Sequence, residues 1–133
     1  MPLSPLARFL ARPLALLLLA VALLSTGCGS PAAVDVAESE PVAIAMSEYR
    51  LQPQDVRLNG AGERTFEITN DGTLVHRFEL RSEDLSRRIA LGRPLKPGES
   101  ETLTVRLGSG SYVMRCAQER HNTLGEYGSV KVG

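Results

Sequence analysis

The chain has 133 residues, and its 15 basic residues balance its 15 acidic residues. That length fits one domain and leaves little room for a second. Because charges of both signs are interspersed and no basic block stands out, the sequence argues against nucleic-acid binding.

The first 27 residues have the features of an export signal. Arg8 and Arg12 precede an unbroken apolar run from Leu14 to Leu24, which has 11 residues, whereas a membrane-spanning helix needs roughly 18 or more. Positive charges, a short apolar core and small residues behind it are typical of a cleaved signal peptide. We therefore expect residues 1–27 to be removed, which leaves 106 residues with 13 basic and 15 acidic side chains.

The segment around Cys28 resembles the lipobox of bacterial lipoproteins, in which an acylated cysteine becomes the new N-terminus. Ser25, Thr26 and Gly27 precede it, although Leu24 lies four residues before the cysteine instead of the usual three. The resemblance implies that Cys28 anchors an exported protein to the cell membrane, with its domain on the periplasmic or extracellular side. Two acyl chains would make such an anchor stable. The alternative is an ordinary signal peptide, cut nearby, with Cys28 incidental.

Beyond the cysteine, the chain divides into a linker and one domain. Residues 28–41 are small, acidic and interrupted by proline, and we expect a flexible tether there. Residues 42–133 contain short alternating or apolar runs separated by turn residues, a pattern that favours an all-β sandwich. Strands are predicted at residues 42–46, 56–58, 64–69, 75–80, 101–107, 111–116 and 127–132. Residues 82–91 are predicted to be a short helix or a long crossing loop.

Alternation within the predicted strands assigns side chains to faces. Phe66 and Ile68 are expected to point into the core. In the strand at 75–80, His76 shares a face with Phe78 and Leu80.

Three residues of this domain are candidate metal ligands. His76 and His121 are its only histidines, and Cys116 is its only internal cysteine. Cys116 ends a predicted strand, and His121 follows five residues later in a loop, so both can turn towards one point. Two imidazoles and a thiolate suit copper in electron-transfer sites. The alternatives are hydrogen-bonded core histidines, a buried cysteine acting as a small apolar residue, or a disulfide between Cys28 and Cys116.

Several segments carry a family resemblance. In residues 68–80 a strand and an Asn-Asp-Gly turn lead to His76, and residues 110–116 read Gly-x-Tyr-x-x-x-Cys. Residues 121–132 resemble the ending His-x3-Gly-Met-x-Gly-x-Val, with Glu126 in place of the methionine. Residues 46–53 and 95–100 are similar to a first strand with its proline and to a Pro-Gly turn. Over most of residues 42–132, the chain therefore resembles the cupredoxins, which include azurin, plastocyanin and bacterial cupredoxin-like lipoproteins.

The resemblance implies a Greek-key β-sandwich of about seven strands and a mononuclear copper site. His76, Cys116 and His121 would be the equatorial ligands, and Glu126 would take the axial position. A carboxylate is harder than a thioether and would favour Cu(II) and a lower reduction potential. The same four ligands are also acceptable to tetrahedral zinc. The alternatives for Glu126 are a solvent-facing side chain, or a register in which Gly125 offers its backbone.

The function expected from this site is one-electron transfer by a monomer with a redox protein partner at the cell envelope. Copper storage, delivery or sensing would use the same ligands, and a zinc-binding or metal-free structural shell is a third alternative. An enzyme is not expected, because the sequence has no oxyanion loop, no dinucleotide or phosphate loop, and little room for a substrate cleft.

Overall fold

The computed structural model describes residues 31–133, so the predicted signal peptide and Cys28 lie outside the described residues. The described part is almost entirely β-structure, with one 3₁₀ turn at Asn122–Leu124. Its strands are β1 (Val34–Val36), β2 (Val42–Ser47), β3 (Arg50–Gln52), β4 (Asp55–Leu58), β5 (Gly62–Asn70), β6 (Phe78–Ser82), β7 (Arg88–Leu91), β8 (Ser100–Leu107), β9 (Gly110–Cys116) and β10 (Tyr127–Val132). Within this range no helix has the length and apolar character to cross a membrane.

The strands form two mixed sheets that pack face to face. The larger sheet has the order β1-β4-β10-β9-β6-β7, and the smaller has the order β3-β2-β5-β8. The predicted all-β sandwich is confirmed. The three strands that sequence reading missed are β1, β3 and β7, all at sheet edges and only three or four residues long. Strands that short show at most two periods of alternation, so pattern alone cannot identify them.

The core lies between the two sheets, as the alternation predicted. Phe66 and Ile68 of β5 are fully buried, and the Phe66 ring lies 5.7 Å from the ring of Phe78 on the other sheet. Each such buried side chain contributes about 1.5–3 kcal/mol relative to an exposed one. On β8, Leu103 and Val105 are half-buried because this strand is at an edge of its sheet.

Part of the segment predicted as a tether is attached to the sandwich. Residues 34–36 form β1, which pairs in parallel with β4 and buries Val36. The buried Arg64 then holds the following turn, because its Nη1 donates to the carbonyl of Glu38 at 2.5 Å. The otherwise open edge of β4 offers unpaired backbone groups, which favours capture of this segment.

The segment 82–91, for which a helix or a crossing loop was predicted, is the end of a hairpin instead. β6 turns back through residues 83–87 into β7. The carboxylate of Asp84 accepts hydrogen bonds from the Ser82 hydroxyl at 2.5 Å and from the Ser86 amide at 3.0 Å. Short polar side chains that bind nearby backbone stabilise turns. The sequence pattern did not predict β7, which follows the turn and has only four residues.

Candidate metal centre

His76 lies outside β6, in the loop that precedes it. Its backbone pairs with Leu95 through two hydrogen bonds of 3.1 and 2.8 Å. The buried Asn70 ties both segments together, because its Nδ2 donates to the carbonyls of Leu74 and Leu95 at 2.8 Å each. The strand predicted from residue 75 therefore begins only at Phe78, and His76 is held by this cross-connection.

The loop after β9 brings three further donors to the same place. Cys116 is the last residue of β9, and His121 begins the 3₁₀ turn that follows. Gly125 ends that turn with φ 117°, a left-handed conformation that glycine adopts at no steric cost. The amide of Glu126 then donates to His121 at 3.1 Å, and the amide of Cys116 donates to Glu126 at 3.0 Å.

The four predicted ligand side chains converge on one point, with their donor atoms within 4.8 Å of one another. Cys116 Sγ lies 3.9 Å from His76 Nδ1 and 3.6 Å from His121 Nδ1. The carboxylate of Glu126 lies 2.6 Å from His76 Nδ1 and 3.1 Å from His121 Nδ1. Donors about 2.0–2.3 Å from a tetrahedral metal would be separated by roughly 3.3–3.8 Å. Most of these distances are close to that range.

The four donor side chains do not satisfy one another's hydrogen-bonding capacity, and a metal ion would complete it. Glu126 Oε1 is buried and has no hydrogen-bond partner within residues 31–133, although His76 Nδ1 is only 2.6 Å away. A buried acceptor without a partner costs about 1–3 kcal/mol, and a bound cation would satisfy it. Two imidazoles, one thiolate and one carboxylate also complete a four-donor set for copper or zinc.

Burial shifts the protonation of the cluster towards neutral groups. It raises the pKa of Glu126 to about 8, and the nearby Glu48 carboxylate adds to the effect. It raises the pKa of the Cys116 thiol to about 11. The pKa of His121 is lowered by burial and by the neighbouring His76. A metal cation reverses this preference, because its charge stabilises the thiolate and the carboxylate.

Sequence reading missed Glu48, which holds the far side of His76. The Glu48 carboxylate accepts from the amides of Leu74 and Thr73 at 2.6 and 2.7 Å and lies 3.3 Å from His76 Nε2. The Leu74 hydrogen bond is the largest cause that lowers the pKa of Glu48 to about 2. An ionised carboxylate at Nε2 favours the proton on that nitrogen, which leaves Nδ1 as a lone-pair donor facing Cys116.

Gly72 leaves room for the Glu48 carboxylate, because glycine has no side chain. A Cβ on Gly72 would lie 2.6 Å from Glu48 Oε1. The Asn-Asp-Gly turn was recognised in the sequence, but nothing in the sequence pattern linked it to Glu48.

The sulfur of Cys116 is enclosed by the sandwich. Its residue is 1% exposed and lies opposite Phe78 in the register of β9 and β6. The amide of Arg77 donates to Sγ at 3.4 Å, a hydrogen bond that stabilises a thiolate. Sequence reading did not predict this contact, because it depends on the pairing of two distant strands.

His121 is the partly exposed member of the cluster. Its side chain is 14% exposed, whereas those of His76 and Glu126 are 0% exposed. The ring of Tyr49 packs edge-on against His121 with centroids 5.2 Å apart. The structure thus connects the cluster to solvent through one imidazole.

No protein-family model matches the chain, and no curated protein matches it in sequence. Its fold is similar to that of a dithionite-reduced auracyanin from Roseiflexus castenholzii, with 22% identity, a TM-score of 0.65, and coverage of 71% of this chain and 98% of the other. Auracyanin A from Chloroflexus aurantiacus, described as a "blue" copper protein, has 16% identity, a TM-score of 0.59, and coverage of 74% and 99%. A purple cupredoxin from Nitrosopumilus maritimus has 20% identity, a TM-score of 0.54, and coverage of 69% and 99%.

At these identities the similarity defines the fold. The chain is a cupredoxin-type β-sandwich, as the sequence resemblance implied. It carries a cluster of two histidines, one cysteine and one glutamate that is a candidate metal site. The assignment of His76, Cys116, His121 and Glu126 as metal ligands remains a prediction, and the structure brings all four together.

Proposed function

We propose that the protein binds one copper ion through His76, Cys116, His121 and Glu126 and transfers single electrons at the cell envelope. The observation that carries this proposal is the convergence of four donor groups, three of them buried, with one carboxylate oxygen left without a hydrogen-bond partner within residues 31–133. Copper bound there would supply a one-electron couple between Cu(II) and Cu(I).

The surroundings of the ligands support rapid electron transfer. His76 is fixed by Leu95 and Glu48, and the Cys116 sulfur is held by the Arg77 amide. Ligands that are locked by their neighbours move little, so little reorganisation is needed when the charge at the site changes.

The exposed rim of the site suits contact with a partner. Leu74, Val75 and Leu124 come from the loops that carry His76 and His121, and Tyr49 packs against His121; these side chains are 37–52% exposed. Exposed apolar patches mark interaction surfaces. A partner that covers this rim would approach His121, the ligand that reaches solvent.

Four protein donors around one metal ion leave no open position for a substrate, which supports an electron carrier over an enzyme. Glu126 should bias the carrier towards a low reduction potential, because an anionic oxygen donor stabilises Cu(II) more than Cu(I). Its burial and the raised pKa of about 8 in the metal-free protein indicate that the carboxylate is held there against its own preference for water.

The first test is a Cu(II) titration of metal-free residues 29–133, which contain every strand described. An intense visible absorption band that saturates at one copper per chain is expected, and Cys116→Ser should abolish it. Absence of the band, or tighter binding of zinc, would refute the copper electron-transfer function and leave a zinc-binding or structural cupredoxin domain. A band with very slow electron self-exchange would instead favour copper storage or delivery.

A pair of carboxylate variants tests the role of Glu126. Glu126→Gln should move the band and raise the reduction potential, because a neutral amide replaces an anionic donor. Glu119→Gln is the matched control, since Glu119 lies in the same loop but is exposed. Identical spectra and potentials for wild type and Glu126→Gln would show that Glu126 is not a ligand.

We further propose that the protein is exported and anchored to the membrane through acylated Cys28, and that it acts as a monomer. The lipobox-like sequence at residues 25–28 supports this location. Metabolic labelling with a fatty-acid analogue should label wild type and Cys116→Ser but not Cys28→Ser. Equal labelling of all three, or none, would contradict the anchor.

A further inference from the structure

A cluster of arginines surrounds one buried carboxylate on the outer face of the larger sheet. Glu79 is 0% exposed, although alternation along β6 places it on the side opposite Phe78 and Leu80. Its Oε1 accepts from Arg81 Nη1 at 2.9 Å and from Arg88 Nε at 2.7 Å. Its Oε2 accepts from Arg115 Nε at 2.6 Å. Three strands, β6, β7 and β9, thus supply arginines to one carboxylate.

Two of these arginines are left with donors facing outward. Arg88 and Arg115 bind Glu79 through Nε and make no other side-chain hydrogen bond within residues 31–133. Their side chains are 55% and 26% exposed. The terminal nitrogens of a guanidinium match a carboxylate in a two-point contact. Because Glu79 already fixes both side chains, less conformational entropy is lost when an anion binds.

The charge of this face differs from that of the rest of the molecule. Arg81, Arg88 and Arg115 outnumber the one carboxylate that they share. Residues 28–133 as a whole carry two more acidic than basic side chains. On the other side of the sandwich, a shallow depression is lined by Glu38, Glu40, Glu63 and Glu67. The molecule therefore has a basic side and an acidic side, which would orient an acidic partner during approach.

Two acidic residues, Glu83 and Asp84, lie in the turn between β6 and β7. The Asp84 carboxylate accepts hydrogen bonds from the hydroxyls of Ser82 and Ser86 at 2.5 and 2.8 Å and stays charged. The charge of Arg87, in the same turn, offsets one of the two carboxylates.

The neighbouring side chains favour a protein partner over a lipid headgroup. Tyr127 of β10 lies opposite Arg115 in the sheet register and is 52% exposed. Val113 of β9 lies opposite Arg81. Tyrosine and arginine are enriched in protein interfaces, where aromatic area and fixed charge act together.

We infer that the face formed by Arg88, Arg115, Arg81 and Tyr127 is a docking surface for an acidic protein, which is bound through its surface carboxylates. The surface is continuous with the candidate metal centre, because Arg115 directly precedes Cys116 in β9. A partner docked here would contact Arg115, the residue next to the ligand Cys116. The use of this surface for electron transfer rests on the proposed function, whereas docking itself does not require the metal.

Docking is tested with a fluorescent poly-L-glutamate peptide as the carboxylate probe, added to both the metal-free and the copper-loaded protein. Arg88→Gln should weaken binding by about three- to tenfold, and Arg88→Gln with Arg115→Gln should weaken it further. Arg106→Gln is the control, since it removes the same charge from the exposed face of the smaller sheet. Binding should also weaken as salt is added.

A charge-preserving variant separates two-point recognition from simple attraction. Arg88→Lys keeps the charge but lacks the planar pair of donors, so about a threefold loss is expected. Equal binding by wild type, Arg88→Gln and Arg106→Gln would overturn the docking surface. Vesicles of phosphatidylglycerol test the lipid alternative. If they bind more tightly than the peptide, and Arg88→Gln abolishes that binding, the surface binds lipid and the protein docking surface is overturned.

Because Arg115 adjoins Cys116, the absorption band of each copper-loaded variant is recorded alongside. A normal band without docking refutes only the docking surface, and docking without any band refutes only the copper function.

Discussion

The clearest test of the metal centre is the stability of the metal-free protein when Glu126 is replaced by glutamine. The pKa of Glu126 is raised from 4.5 to about 8, chiefly by burial. The unfolded chain therefore loses this proton near pH 4.5, whereas the folded chain keeps it until about pH 8. Between those values each rise in pH favours the unfolded state, and above pH 8 the penalty is constant. Glutamine cannot ionise, so the variant lacks this penalty.

The size of the effect follows from the same interval. At 1.36 kcal/mol per pH unit, the span from 4.5 to about 8 gives up to about 5 kcal/mol of lost stability in wild type at pH 9. Glutamine weakens the contact of 3.1 Å with His121 Nδ1, which costs about 1 kcal/mol at any pH. We therefore expect the metal-free variant to be about 2–4 kcal/mol more stable than wild type at pH 9 and no more stable than wild type near pH 4.5.

Urea unfolding of both proteins with a chelator present, at pH 5, 7 and 9, measures this difference. Glu126 contributes to raising the pKa of Cys116 from 9.0 to about 11, so the titration of that thiol enters the comparison only near pH 9 and above, where it ionises in the unfolded chain. Glu119→Gln should follow wild type throughout. A variant that is less stable than wild type at pH 9, or a difference that does not change with pH, would refute the argument that the carboxylate is held in place for a cation. With copper bound, the order should reverse, because the variant loses a charged ligand.

Three other outcomes are expected. Cu(II) binding at pH 7 should release about two protons, because the pKa values of Cys116 and Glu126 are about 11 and about 8. Calorimetry in buffers of different ionisation enthalpy measures the number of protons released. Copper binding to Glu126→Gln should release about one proton. Glu48→Gln should weaken copper binding by about 10- to 100-fold in chelator competition, because the His76 ring loses its charged acceptor, and an unchanged affinity would contradict this positioning role. Glu79→Gln should destabilise the protein at pH 7 by about 2–3 kcal/mol, because three partly exposed guanidinium groups lose their shared partner. The pKa of Glu79 is held at about 2 by its arginines, so this stabilisation is complete above pH 4.5 and is lost as the pH falls through 2. The gap between the unfolding curves of the two proteins should therefore narrow in acid, and a constant gap would contradict it.

Much of the candidate site could be predicted from the sequence, because its parts are local. Cys116, His121 and Glu126 lie within eleven consecutive residues, and the motif that joins them specifies a strand end, a turn and a strand start. His76 could be added because so few histidines exist from which to choose. Six of the seven strands that could be predicted have five or more residues, and alternation over that length is a direct consequence of the two-residue period of a strand. The seventh, β4, has four.

Other features depended on tertiary structure alone. Glu48 reaches His76 across 28 residues, and Arg115 reaches Glu79 across 36. In the sequence, each of these residues is simply one charged side chain among many. Sequence periodicity fixes which face of a strand a side chain occupies. It does not fix which strand lies next to it, because strand order is decided by how the two apolar faces pack together over the whole domain. The metal-binding residues could therefore be predicted from the sequence. The contacts of Glu48 with His76 and of Arg115 with Glu79 could be identified only from the tertiary structure, because they depend on which strands are neighbours.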